Sequence, residues 1–269
     1  MTKQKMKVGL ALGGGAARGL AHIGVLEVFD KEDIPIDMIA GTSAGAAIGA
    51  LYAQKKDTSV IRDLARNLSR KRLISLADPN LSRTGLIKGN KIIDLFKVVI
   101  SRSVQFSDLR KPFACIATDI MNGDEVIISQ GSVLEGIRAS ISIPLIFSAT
   151  RWRGRYLVDG GLINPVPVST LKNMGADFII AVNVIPNLKT ELVQSEHIKG
   201  PGILDIIMHS MYIGNALLVR HSLEGADISI EPQVRHIGAG DFHKAEECIL
   251  QGKKAAEASI PKIRNQLLI

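Results

Sequence analysis

Gly41-Thr42-Ser43-Ala44-Gly45 is the stretch on which this chain turns. Ahead of it, Ile36-Asp37-Met38-Ile39-Ala40 reads as an apolar strand; behind it, Ala46-Ala47-Ile48-Gly49-Ala50-Leu51 reads as a small-residue helix. A Gly-x-Ser-x-Gly at a strand-to-helix turn is the pattern of a nucleophile elbow. The glycines admit a strained backbone, and the hydroxyl is carried to the mouth of a sheet above helix N–H groups. The pentapeptide alone is weak, because small polar turns before helices are common. Its surroundings give it weight.

A second glycine cluster lies upstream, Gly13-Gly14-Gly15-Ala16-Ala17-Arg18-Gly19, after the strand-like Val8-Gly9-Leu10-Ala11-Leu12 and before a helix expected over about 17–30. Consecutive glycines there expose backbone N–H groups, and the helix dipole adds positive potential. Such donors hold a phosphate or the oxyanion of a tetrahedral acyl intermediate. A P-loop needs Gly-Lys-Ser/Thr after its glycines, and Arg18-Gly19-Leu20 stands there instead. A dinucleotide loop wants an acid at the end of the second strand, whereas Asp37 sits at its start. A turn needed only for packing explains one cluster and leaves the other a coincidence. The serine elbow one strand later favours the oxyanion reading.

The usual serine triad draws its base from a histidine. His22, His197, His209, His221, His236 and His243 all lie outside any glycine-rich or turn motif, and His22 reads as a packed or capping residue on the first helix. Only two strand signals precede Ser43, where an α/β-hydrolase would place several. A carboxylate stands out instead. Tyr156-Leu157-Val158-Asp159-Gly160-Gly161 ends a short strand in an aspartate, and Asn164-Pro165-Val166-Pro167-Val168 stiffens the turn that follows. An Asp-Gly turn with no chemistry is the plain alternative; Ser43 and the first glycine cluster argue against it.

Together, Gly13 to Leu26, Gly41 to Gly45 and Asp159-Gly160-Gly161 resemble the patatin-like phospholipase family in order and spacing. Ala139-Ser140-Ile141-Ser142-Ile143-Pro144 is similar to the family's segment before its aspartate strand, and residues 225–232 are similar to the tail of its short bacterial members. The resemblance covers about residues 8–172. It implies a three-layer α/β/α fold with a mostly parallel central sheet, and a serine esterase that cleaves lipid acyl esters through an acyl-serine intermediate. By position it assigns Ser43 as nucleophile and Asp159 as proton acceptor, a dyad without histidine. Gly13, Gly14 and Gly15, with Arg18 nearby, match the oxyanion loop; Gly41, Gly45, Gly160 and Gly161 support the two turns. Ala16 stands where many members carry a further glycine. An aspartate near its ordinary pKa of about 4 is a weak base for a hydroxyl, so the oxyanion donors must supply much of the rate. An acyltransferase on the same dyad and a non-catalytic lipid-binding regulator remain alternatives.

The rest of the chain fits one α/β unit. In 269 residues no Pro/Ser-rich linker, repeat or low-complexity tract appears, so 1–269 reads as a single domain with 173–269 as its C-terminal part. Apolar content of 46% with 4% aromatics suits an aliphatic core. Strand signals at 7–12, 36–40, 113–119, 125–129, 156–158 and 178–185 alternate with helix signals near 17–30, 44–55, 58–70, 90–102, 131–140, 167–174, 203–222 and 243–254.

Ten basic residues against three aspartates lie between 55 and 91, a balance of +7 equal to the whole chain's net charge. With Leu64, Leu68, Leu73, Ile74 and Leu76 among them, they suit peripheral contact with an anionic membrane; a solvated helix and loop explains them equally. Residues 72–90 carry turn residues and read as a movable cover. Tyr52 is the one aromatic near these cations before Phe96, so no stacking platform for nucleic acid accompanies them. No apolar signal-peptide core follows the basic start, and Cys115 and Cys248 form no motif. The expectation is a cytoplasmic protein, at most peripheral at the inner membrane face, working on a lipid or acyl ester without cofactor, metal or nucleic acid; oligomeric state is unread.

Overall fold

The structure, a computed structural model, describes residues 6–54, 57–67, 90–97, 99–186 and 203–269. Among them eight strands form one sheet: β1 (Val8–Leu12), β2 (Met38–Thr42), β3 (Phe113–Asp119), β4 (Glu125–Ile128), β5 (Thr150–Trp152), β6 (Arg155–Asp159), β7 (Phe178–Val182) and β8 (Ile228–Ile230). The path is β5-β6-β3-β2-β1-β7-β8, with β4 also on β3. The five strands from β3 to β8 are parallel; β4 and β6 are antiparallel to β3, and β5 to β6.

Strand alternation divides the core. Leu10 and Leu12 of β1, Ile39 of β2 and Ile180 of β7 face the larger apolar cluster; Ala11, Met38, Ala40 and Ile179 face the smaller. Helices α1 (Ala21–Lys31), α2 (Ala44–Ala53), α5 (Val133–Ser140) and α8 (Ala245–Leu267) cover the first face. Helices α6 (Val168–Asn173) and α7 (Ile203–Ser222) cover the second. The short α3 (Thr58–Arg66) and α4 (Asn90–Lys97) complete the first side. The three layers are those expected.

Several elements differ from the sequence reading. The second strand runs on through Gly41-Thr42, so the elbow begins at Ser43 itself. The first helix opens as a 3-10 turn over Ala16–Leu20 before α1 begins. Strands β5 and β8, three residues each, are too short to show a period. The last helix runs to Leu267, well past 254 and through Pro261, because Ala256, Ile260, Ile263 and Leu267 keep its inner face buried. It packs on α1 at very short range. A methyl at Gly24 would lie 2.0 Å from the Ile249 carbonyl, and one at Gly252 1.9 Å from that of Ala21.

Of the cations between 55 and 91, Arg62 and Arg66 are described with their side chains. Arg62 pairs with Glu27 and Glu246, and Arg66 with Glu246 and Asp63. Both are engaged within the protein, which weakens their part in a membrane patch; the stretch's other basic side chains, and the cover read over 72–90 up to residue 89, lie outside the described residues. Among the described residues no helix is long and apolar enough to cross a membrane.

Candidate active site

The register of β3 explains how Ser43 and Asp159 meet. One edge of β3 carries β4, from Cys115↔Ile128 to Thr118↔Glu125. The other edge carries two strands in succession: β2, as far as Thr42↔Ile116, and then antiparallel β6, beginning at Asp159↔Ala117. Two strand ends therefore abut at the carboxyl edge of the sheet, and the last residue of β6 faces the first residue beyond β2. Ser43 Oγ donates to Asp159 Oδ2 at 2.5 Å, across 116 positions of sequence.

Both residues are held firmly. Ser43 sits at φ 54°, a left-handed conformation that costs a non-glycine residue on the order of 1 kcal/mol or more and is the signature of a strained elbow. Neighbouring backbone enforces it. A Cβ at Gly45 would lie 2.1 Å from the Leu12 carbonyl oxygen, and one at Gly41 2.5 Å from that of Gly45. Asp159 accepts a second bond from Gly161 N–H at 2.8 Å, while its own N–H donates to the Ser142 carbonyl and its carbonyl accepts from Thr118 Oγ1. Gly160 passes so close to β3 that a methyl would meet the Ile116 oxygen at 2.4 Å.

Ser140, at the end of α5, joins the two strand ends. Ser43 N–H donates to its Oγ at 2.9 Å, and that hydroxyl donates to the Ile116 carbonyl at 2.6 Å. The fully buried hydroxyl thus replaces the ladder bond that is lost where β2 stops and β6 begins. Ser140→Ala orphans a buried donor and a buried acceptor, and is expected to lower stability in urea unfolding by about 2–4 kcal/mol. The sequence marked this segment only through its family resemblance; no local pattern announces a hydroxyl splice.

The loop after Asp159 ties both glycine motifs to the aspartate. Asn164 carbonyl accepts from Thr42 Oγ1 at 2.8 Å, and Pro165 carbonyl accepts from Gly14 N–H at 2.9 Å. Asn164 is itself fixed by Glu125 and Ser169. Asn215 on α7 closes the outer side, oriented to donate to the carbonyls of Gly161 (2.8 Å) and Met211 (3.2 Å).

The glycine loop lies against the elbow, with a methyl at Gly14 reaching 3.4 Å from Ser43 Cβ. Its donors are not equivalent. Gly13 N–H is bonded to the Val182 carbonyl and Gly14 N–H to that of Pro165, whereas Gly15 and Ala16 N–H have no partner among the described residues. The set of open donors is therefore shifted from Gly13–Gly15 to Gly15 and Ala16. Ala16 itself sits at φ 49°, the region glycine favours.

Arg18 is drawn away from the loop's front. Its Nε donates to the Ile237 carbonyl at 2.6 Å and its guanidinium lies 4.5 Å over the Tyr212 ring, while among the described residues a buried Nη1 and the Tyr212 hydroxyl have no hydrogen-bond partner.

Electrostatics follow from burial. Asp159, 6% exposed, has its carboxyl pushed up to about 6 by desolvation, against the opposing pull of the Ser43 and Gly161 hydrogen bonds. The expected ordinary value near 4 is corrected upward, and the carboxylate becomes a better base. His22 is fully buried, and desolvation depresses its imidazolium to about 4 despite the Gly13 bond. Neutral Nε2–H therefore donates to the Gly13 carbonyl at 2.7 Å, under the loop. Among the described residues no histidine hydrogen-bonds Ser43.

A serine hydroxyl thus bonds a buried carboxylate beside a glycine loop, at the carboxyl edge of a mainly parallel sheet. Residues 10–172 match the family model of patatin-like phospholipases, and the chain belongs to that family. It is 35% identical over 178 residues to an NTE family protein of Mycobacterium tuberculosis, covering 66% of this chain and 49% of the relative. It is 28% identical over 284 residues to the lysophospholipase NTE1 of Pyricularia oryzae, covering 96% of this chain and 19% of that protein. The chain thus spans about half, or much less, of the length of these curated relatives. The crystal structure of VipD from Legionella pneumophila shares the fold, with a TM-score of 0.51 at 14% identity over 95% of this chain and 67% of that one.

Proposed function

We propose that this protein is a serine esterase acting on lipid acyl esters, of phospholipase A or lysophospholipase type, with Ser43 as nucleophile and Asp159 as its base. The observation that carries the reading is the 2.5 Å bond between Ser43 Oγ and Asp159 Oδ2. Asp159 takes the hydroxyl proton as Oγ attacks the ester carbonyl. The tetrahedral oxyanion is stabilised by the open N–H groups of the glycine loop, Gly15 and Ala16, with the Arg18 charge behind them; Gly13 and Gly14 form the frame. Collapse expels the alcohol, which leaves with the proton from Asp159. Water then attacks the acyl-serine as Asp159 accepts its proton; collapse breaks the acyl–Oγ bond, Asp159 returns that proton to Ser43 Oγ, and the fatty acid leaves.

Membership of the patatin-like family supports a lipid ester as substrate, and the fungal relative's printed activity supports the lysophospholipase type. We read 1–269 as one working unit, since α8 closes directly on α1. A cytoplasmic location is the compartment that suits the free, buried Cys115 and Cys248. A fluorophosphonate ester probe is expected to label the wild-type protein at Ser43, read by peptide mass, and to leave Ser43→Ala unlabelled. Labelling elsewhere, or acyl transfer to a competing alcohol in place of free fatty acid, would displace the hydrolase reading.

A further inference from the structure

The β5–β6 hairpin carries Arg151-Trp152-Arg153-Gly154-Arg155-Tyr156, and none of these residues takes part in the site. Yet the hairpin is built on the strand that ends in Asp159. β6 runs antiparallel to β3, and its pairing passes Leu157↔Asp119 before the chain turns back. The hairpin tip therefore projects beyond the carboxyl edge of the sheet, on the Ser43 side. Four residues of strand separate the levels of Arg155 and Asp159, on the order of 13 Å.

Its surface combines cations, aromatic rings and apolar side chains. Arg153 lies 4.6 Å over the Trp152 ring, and Trp152 is half-buried against the core. Arg155 reaches Asp119 only at 3.9 Å, and Arg151 and Arg153 have no carboxylate partner among the described residues. Beside them runs the β3–β4 turn, joined to the hairpin by Ile120 N–H on the Tyr156 carbonyl at 3.0 Å. Ile120 is 49% exposed, Met121 76% and Tyr156 46%. Charged residues on an exposed outer strand often serve only to block strand pairing. That purpose needs no exposed Met121 or Ile120 next to the arginines, and none of the aromatic residues at their level.

We propose that this hairpin and the 120–124 turn form a docking surface for an anionic lipid bilayer. The arginines meet the phosphate groups, Trp152 and Tyr156 lie at headgroup depth, and Met121 and Ile120 enter the acyl boundary. The argument is charge complementarity together with apolar exposure on the reactive side. This surface is separate from residues 55–91. Its purpose rests on the lipid-ester reading of Ser43, but its binding does not.

The test uses Ser43→Ala protein, so that vesicles stay intact, in co-sedimentation with phosphatidylglycerol-containing and pure phosphatidylcholine vesicles at low and high salt. Binding is expected to require the anionic lipid and to weaken with salt. Arg151→Gln with Arg153→Gln should bind roughly thirtyfold more weakly, each arginine contributing about a fivefold factor. Met121→Ser should weaken binding at both salt concentrations. The Arg151, Arg153 and Met121 side chains are exposed, and circular dichroism checks the fold. Equal binding of both vesicle types, an arginine variant as tight as its parent, or tighter binding to a single-stranded oligonucleotide would overturn the proposal. Hydrolysis of a water-soluble short-chain ester by the same arginine variants with Ser43 intact reads the active site separately. If that ester is untouched by wild type while vesicle binding follows the arginines, the docking surface stands and the dyad reading falls.

Discussion

Asp159→Asn is expected to lower ester turnover by about four orders of magnitude while making the folded protein more stable at neutral pH. The carboxamide can turn Oδ1 to the Gly161 N–H and Nδ2 to the Ser43 hydroxyl, so both contacts of Asp159 survive in altered form. What disappears is the buried charge and, with it, the base of the proposed mechanism. Burial raises the native pKa from 3.8 to about 6. The native state thus holds this proton more tightly than the unfolded chain. Stability from that proton is fully present below about pH 4 and is lost as pH rises through about 6, leaving an ionised group that costs on the order of 2–3 kcal/mol at neutral pH. Removing the charge returns part of that amount, the common trade between activity and stability.

The same pKa sets the wild-type rate profile: kcat/KM on a soluble ester should rise with an apparent pKa of about 6 and level off above it. His22 acts in the opposite sense on stability. Its native pKa is depressed to about 4, so its contribution is present above about 6.5 and lost as pH falls. The Asp159→Asn effect must therefore be read as a difference in unfolding free energy between variant and wild type at each pH. Turnover within tenfold of wild type, or a variant less stable at neutral pH, would remove Asp159 from the role of buried base.

Gly45→Ala should be the most damaging single methyl in the site. The added carbon would lie 2.1 Å from the Leu12 carbonyl oxygen and 2.7 Å from that of Gly13. Both are backbone atoms in the end of β1 and the start of the glycine loop, and neither can rotate away. Accommodation must push the elbow off the loop, at a cost of about 3 kcal/mol or more. Thermal unfolding reads the loss. Any folded fraction should hydrolyse soluble esters more slowly, because the Ser43 hydroxyl and the open donors no longer share one frame. Wild-type stability and rate in this variant would contradict the close packing described here.

Much of this arrangement was readable from one-dimensional pattern. Glycines at 13–15 and 41 and the aspartate at 159 stand at strand ends, and Gly45 opens the helix after the elbow, where backbone geometry demands particular residue types, so their places in the fold were legible. Central strands such as β2, read at 36–40, and β7, read at 178–185, announced themselves as apolar runs because both faces are buried. Strands β5 and β8 did not, being three residues long. The helix read over 243–254 runs on to Leu267, because burial of Ala256, Ile260, Ile263 and Leu267 carries it through Pro261.

The sequence by itself determined the α/β alternation, the serine at the elbow and the acid at the far turn, since each depends on local backbone requirements. Only the tertiary structure decided how they meet. Two strands share one edge of β3, Ser140 bridges their ends, and the Pro165 carbonyl occupies the Gly14 donor while others stay open. These are facts of register and of which buried group finds which partner. The raised pKa of Asp159 is of the same kind, since desolvation belongs to the packed interior and no tripeptide around position 159 carries it.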